Sequence, residues 1–158
     1  MEPSRGSNHG LLLKLELTSD PGLLGGVREE VERLAGSFGF SEPDCRAVTR
    51  AVDEALANII RHSYGGKEDQ PIEVLFRALE QQANSDAGAG LEILLCDRGP
   101  AINPKQMRPR ALEDVRPGGL GLHFIRQGMD VVEYNRVNES NRLRMVKYIR
   151  AAKQDGKR

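Results

Sequence analysis

Arg50, Glu54, Asn58 and His62 stand four residues apart in the chain, so on a helix they share one face. Val48, Val52, Ala55, Leu56, Ile59 and Ile60 supply an apolar side to the same segment. A carboxylate one turn before a carboxamide suits the holding of a hydrated divalent cation and the polarising of a hydroxyl. A solvated stripe is the commoner use of such a face, and period alone leaves both readings open. Asp97-Arg98-Gly99 follows directly on the apolar run Leu91 to Cys96. A carboxylate at a strand end can accept a hydrogen bond from a ligand, and Gly99 admits close backbone approach; Asp and Gly also make ordinary turns. Gly118-Gly119-Leu120-Gly121-Leu122 opens a helix on glycines, which either exposes free amides and the positive dipole end to an anion such as phosphate or forms a plain loop-to-helix junction.

Several other chemistries are excluded by pattern. No G-x-x-x-x-G-K-[ST] occurs, and the glycines at 118, 119 and 121 lack the spacing and the preceding strand of a dinucleotide fingerprint. No G-x-S-x-G elbow accompanies His9, His62 or His123, so hydrolase triad logic finds no nucleophile. Cys45 and Cys96 stand apart from each other and from any histidine at ligand spacing, which excludes structural zinc and leaves reduced, buried thiols as the expectation.

These residues need elements to position them. Leu11, Leu13, Leu15 and Leu17 alternate with mostly polar neighbours, the period of a half-buried strand. Asp20-Pro21-Gly22 ends it, and Leu23, Leu24, Val27, Val31, Leu34 and Ala35 then recur at helical spacing, with Gly36 and Gly39 to terminate. Ser41-Glu42-Pro43-Asp44 reads as a helix start, with Ser41 as cap, and the helix runs to about Ser63. Ile72, Val74 and Phe76 make a strand that pairs with Leu91 to Cys96 across a polar turn from Gln81 to Gly90. Residues 99–119 hold four prolines and no sustained period; a loop of that length is usually functional, and a lid is expected. Its charges, Lys105, Arg108, Arg110 and Arg116 against Glu113 and Asp114, suit either solvent or phosphates and an acidic partner. Leu120 to Met129 is a helix, and Val131 to Val137 and Leu143 to Ile149 form a hairpin through Asn138-Glu139-Ser140-Asn141. Helices on one face of a largely antiparallel sheet make the class α+β.

The 158 residues fit one domain, which at this size buries about 68–70% of its unfolded surface. Lys+Arg and Asp+Glu are each 23, and zero net charge argues against duplex nucleic acid as the main partner. Aromatics at 4% without tryptophan offer little for stacking single strands. The polar, Gly/Ser-containing stretch 1–10 is expected to be disordered and the polar tail 151–158 frayed. With no targeting pattern and no 18-residue apolar run, a cytoplasmic protein without membrane contact is expected.

The order and spacing of the three polar features together resemble one family. Glu54-Ala55-Leu56-Ala57-Asn58-Ile59-Ile60-Arg61-His62-Ser63-Tyr64 is similar to the N box of the GHKL ATPase superfamily, in the E-A-x-x-N-x-x-x-H-x-Y form of bacterial anti-sigma factor serine/threonine kinases. Asp97-Arg98-Gly99 resembles the first glycine box, Gly118 to Leu122 with Met129-Asp130 the second, and Leu143 to Lys147 the closing strand. The resemblance spans Leu11 to about Arg150. It implies a Bergerat-type two-layer sandwich with a mixed, mostly antiparallel sheet, an ATP lid over about 99–119, and ATP with Mg²⁺ as cofactors. By resemblance Glu54 orients or deprotonates an attacking serine hydroxyl, Asn58 ligates Mg²⁺, and Asp97 accepts from the adenine amino group. Gly99 lets the base approach, Gly118, Gly119, Leu120, Gly121 and Leu122 cap the phosphates, and His62 and Ile102 line the nucleotide site. The implied partners are a sigma factor or similar regulator, an antagonist protein carrying a phosphorylatable serine, and a second copy of the chain in a homodimer. A non-catalytic, ATP-dependent binding module is the alternative. The chain departs from the family pattern at Pro100-Ala101, where a second glycine is usual, and at Asn141-Arg142, where a G-T pair is common.

Overall fold

In the computed structural model, which describes residues 10–81, 88–101 and 120–150, the leucine alternation becomes strand β1 (Leu11–Thr18), half-buried at every second residue. The stretch 1–9, most of the polar turn, the lid segment 102–119 and the tail 151–158, about which the sequence also raises expectations, lie outside the described residues. Asp20 Oδ1 accepts from Gly22 N at 2.8 Å and starts a 3₁₀ turn, Pro21–Leu23, that leads into α1 (Leu24–Phe38). Helix α1 stops at Gly39, whose φ of 106° is a left-handed conformation that glycine adopts without a Cβ penalty. Gly36, expected to share in the termination, lies inside the helix; only its carbonyl takes part, accepting from Gly39 N at 3.2 Å.

Helix α2 (Glu42–Asn58) begins as its sequence dictates. Ser41 Oγ accepts from Asp44 N at 3.3 Å, and Glu42 and Asp44 sit at the positive end of the dipole. The α-helix does not continue uniformly to Ser63. Its last turn, Ile59–Ser63, widens to a π-helical turn in which Tyr64 N bonds Ile59 O at 3.0 Å. Such widenings shift the following side chains round the axis and often mark functional positions. Here they turn Ser63 and Tyr64 into the interior while His62 is exposed.

Strands β2 (Pro71–Leu79), β3 (Gly90–Asp97), β4 (Val131–Val137) and β5 (Ser140–Tyr148) complete a five-stranded sheet in the order β1-β2-β3-β5-β4. Helix α3 (Leu120–Gly128) lies on the crossover from β3 to β4. All four ladders are antiparallel. The mixed sheet expected from the resemblance is not formed among the described residues, because strands that run the same way are never neighbours: β2 lies between β1 and β3, and β5 between β3 and β4.

Register explains where the polar site falls. One row across the core face reads Leu13, Phe76, Ile93, Met145, Val132, and the next reads Leu15, Val74, Leu95, Leu143, Tyr134. The last row reads Leu17, Ile72, Asp97, Asn141, Arg136. The sheet is therefore apolar under the helices and turns polar at one corner. Val48, Val52, Ala55 and Leu56 of α2 and Val31 and Ala35 of α1 cover the apolar rows and are at most 1% exposed. Each fully buried aliphatic side chain of Val or Leu size contributes about 1.5–3 kcal/mol. The other sheet face carries charges instead: Arg144 Nε donates to Glu92 at 2.7 Å, Arg77 Nη1 to the same carboxylate at 3.3 Å, and Arg144 Nη1 to Glu133 at 3.2 Å.

The β4–β5 hairpin differs from expectation by two residues, with a consequence for the site. Asn138 and Glu139, at φ 48° and 63°, form the whole two-residue loop, with both central residues left-handed as the right-handed strand twist prefers. Ser140 and Asn141, expected in the turn, already belong to β5. Strand alternation then points Asn141 into the core face opposite Asp97.

Candidate functional site

At the polar corner, Asp97 ends β3 only 4% exposed. Its Oδ1 accepts from the Ser63 hydroxyl at 2.6 Å, from Gly99 N at 2.9 Å and from Asn141 Nδ2 at 2.9 Å. Oδ2 takes no hydrogen bond from any described residue. Gly99 is packed so tightly that a Cβ there would stand 2.4 Å from Ser63 Oγ and 2.7 Å from the Ser63 carbonyl oxygen. Only glycine lets the chain pass under the end of α2 at this point. Tyr64 holds the neighbouring peptide: its hydroxyl accepts from Arg98 N at 2.7 Å and donates to Pro71 O at 2.5 Å. Burial pushes the Tyr64 phenol above its ordinary range.

Asn141, 1% exposed, is the hub of this corner. Besides Asp97, its Nδ2 lies 3.0 Å from Pro100 O, which accepts from it, and 3.3 Å from Gly99 O. Its Oδ1 accepts from the Tyr134 hydroxyl at 2.5 Å and from Arg136 Nη1 at 2.8 Å. Arg136 Nη1 also donates to Gly99 O at 3.0 Å. Buried polar groups persist when they are satisfied in this way, and the network fixes their geometry.

Along α2 the arrangement is the opposite. Glu54 and Asn58 are half-buried, and no hydrogen bond or ion pair to a described residue engages either side chain. The expected single line of Arg50, Glu54, Asn58 and His62 holds over the first three. The step from Asn58 to His62 crosses the π-helical turn, so His62 departs from the α-helical line. Arg50 stacks on Phe124 of α3, with Cζ 3.5 Å from the ring centroid, a contact worth about 0.5–1 kcal/mol at an exposed position. This joins the polar stripe of α2 to the helix that opens at Leu120. Lys147 Nζ caps the far end of α3 by donating to Gly128 O at 2.8 Å.

The sequence-derived site is thus partly assembled. Asp97 and Gly99 meet Ser63 of the α2 extension, and Glu54 and Asn58 occupy the same helix upstream. Leu122 packs against the hydrophobic core. Ile102, Gly118 and Gly119 lie outside the described residues, and of Leu120 and Gly121 only the helical backbone is described. Among the described residues no group of three His, Cys, Asp or Glu could hold a metal by itself, and no helix is long and apolar enough to cross a membrane. Cys45 and Cys96 are free and half-buried, less enclosed than expected, and burial raises both thiols. The sequence reading missed Ser63, Tyr134 and Arg136, and saw Asn141 only as a departure from a family pattern. The one signal for Asn141 was a carboxamide in phase with Leu143 and Met145 on the buried side of a strand.

The fold is a two-layer α+β sandwich with a carboxylate and glycine at the end of a central strand and a Glu/Asn pair on the covering helix. The profile of the histidine kinase-like ATPase domain matches residues 17–147, and the chain belongs to that family. It is 31% identical over 140 residues to a serine-protein kinase RsbW of Listeria innocua, covering 87% of each chain. To the serine-protein kinase RsbW of Bacillus pumilus it is 26% identical over 152 residues, covering 91% of this chain and 90% of that one. Among solved structures, the fold is similar to the RsbU and RsbW domains of a Mycobacterium tuberculosis protein, with TM-score 0.58 and 15% identity over 89% of this chain. The match spans 34% of that longer chain. The SiaB–SiaC complex of Pseudomonas aeruginosa holds a similar chain, with TM-score 0.55 and 13% identity over 90% of this chain and 92% of that one.

Proposed function

We propose that this chain is an ATP-dependent protein serine/threonine kinase of the anti-sigma factor type, which binds a sigma factor or similar regulator and phosphorylates an antagonist protein on serine. The observation that carries the reading is the Glu54/Asn58 pair, half-buried and unengaged by described residues, on the helix whose end holds Asp97. Membership of the histidine kinase-like ATPase family and the relatives named serine-protein kinase RsbW support it.

In this reading Asp97 accepts from the adenine amino group and Gly99 gives the ring its close approach. The amides at the start of α3, with Gly118, Gly119 and Gly121, meet the phosphates. Asn58 would hold Mg²⁺ through its hard carboxamide oxygen. When bound, Mg²⁺ neutralises charge on the phosphates. Glu54 accepts the proton of the antagonist's serine hydroxyl as its oxygen bonds the γ-phosphorus. The bond from that phosphorus to the β,γ-bridging oxygen breaks, giving phosphoserine and ADP. The working unit in this reading is a cytoplasmic homodimer.

The test is incubation of the purified chain with γ-labelled Mg-ATP and its antagonist. Labelled phosphoserine on the antagonist, absent with Asn58→Ala, is expected. Absence of any label on the antagonist with the wild-type chain would overturn the kinase reading.

A further inference from the structure

We infer that Asn141, braced by Tyr134 and Arg136, is a positioning residue that aims Asp97 at the base and so sets the preference for a 6-aminopurine. This deepens the ATP reading above and rests on it. A carboxylate at the end of a strand can rotate about its terminal bond, and its two oxygens are then equivalent to an incoming donor. At this corner they are not. Three donors, Ser63 Oγ, Gly99 N and Asn141 Nδ2, converge on Oδ1, leaving Oδ2 as the oxygen without a partner among the described residues. An acceptor held in one place recognises a purine that carries a hydrogen-bond donor at that place.

Of the three donors, one comes with the chain's own path and one with the covering helix. Gly99 is two residues from Asp97, and Ser63 is brought by the turn of α2. Asn141 comes from a different strand, 44 positions away, and is itself fixed at its other end by two donors, the Tyr134 hydroxyl and Arg136 Nη1. It also reaches the carbonyls of Gly99 and Pro100, while Arg136 takes a second hold on Gly99 O. Asn141 therefore fixes the carboxylate and, together with Arg136, the backbone that must lie against the base. The polar corner row and the start of β5 at Ser140 place these groups together. Conversely, the pair G-T in the pattern that the chain otherwise resembles has no carboxamide to make these bonds.

The direct test compares ATP with purine riboside triphosphate, which differs from ATP by lacking the 6-amino group, by calorimetric titration in the presence of Mg²⁺. The wild-type chain should prefer ATP about ten- to hundredfold, the worth of a hydrogen bond to a charged group. Asn141→Ala should lower that preference by about tenfold through weaker ATP binding, with affinity for the deaminated nucleotide nearly unchanged. Arg136→Ala, which leaves every contact to Asp97 in place, should lower it about two- to fivefold. A merely structural role would weaken both nucleotides together and leave their ratio alone. Should Asn141→Ala not fold, Arg136→Ala decides, and an unchanged ratio overturns the inference. A wild-type chain that binds both nucleotides equally also overturns it while the ATP reading stands. A wild-type chain that binds neither overturns the ATP reading and this inference with it.

Discussion

At the Asp97 end of the site, Ser63, Gly99, Asn141, Tyr134 and Arg136 hold one carboxylate oxygen and the adjoining backbone with hydrogen bonds of 2.5–3.3 Å. Along α2, a few residues upstream of Ser63, Glu54 and Asn58 have no such partners among the described residues. The first region is finished by the fold itself. The second is open. Under the proposed function, the division suits a domain that recognises one base but handles a changing set of phosphates. Recognition by a hydrogen bond gains from groups fixed beforehand, whose ordering cost is met in folding. A phosphate end tied up in internal bonds would have to break them each time charge arrived or left.

The comparison can be broken at either end. The largest expected effect is at the open end: Glu54→Gln should lower phosphoryl transfer to the antagonist by at least about a hundredfold, the usual minimum for losing a general base. Nucleotide affinity, read by calorimetry on the same preparation, should remain. A variant that still transfers phosphate at the wild-type rate would remove Glu54 from the chemistry and favour a binding module.

At the built end, Gly99→Ala should be the most damaging change. Its Cβ meets the Ser63 carbonyl oxygen, a backbone atom that cannot swing aside. We expect a loss of about 1–3 kcal/mol in denaturant unfolding, as for other forced overpacking. Nucleotide binding should be lost with it, because Ser63 would be pushed from Asp97.

Tyr64→Phe gives a smaller change. It removes the donor to Pro71 O and the acceptor for Arg98 N and should cost about 1 kcal/mol. The pH dependence has a defined sign. The folded phenol titrates above its unfolded value, so its stabilisation is complete below about pH 10 and is lost as pH rises through the folded value. Alkaline unfolding should therefore be shallower in Tyr64→Phe than in the wild-type chain. Equal slopes would show that the phenol does not govern that limb.

Most of the scaffold was legible locally. The alternation at Leu11, Leu13, Leu15 and Leu17, the capped start at Ser41 and the helical spacing from Val48 to Leu56 each depend on neighbours within a few positions, and these parts form as read. Glu54, Asn58, Asp97 and Gly99 were visible because polar residues stood where packing has no use for them. The network around Asn141 was not legible, because residues 97, 134, 136 and 141 converge only after two ladders set their register, and Ser63 joins them only when the helical layer docks. The π-helical turn was equally hidden: Ile59 to Ser63 carries no residue that local propensity would single out, and its reward is a bond from Ser63 to a strand 34 positions away. The short loop at Asn138-Glu139 was misjudged because two non-glycine residues adopt positive φ there, which sequence pattern discourages.

The most direct test of a built base end and a ligand-completed phosphate end is calorimetric titration of wild type and Asn58→Ala with adenosine, with ATP, and with ATP plus Mg²⁺. The account predicts equal adenosine affinity in the two proteins, stronger ATP binding with Mg²⁺ in the wild type, and no such gain in the variant. A variant that keeps the full Mg²⁺ gain, or that loses adenosine binding as well, would contradict it.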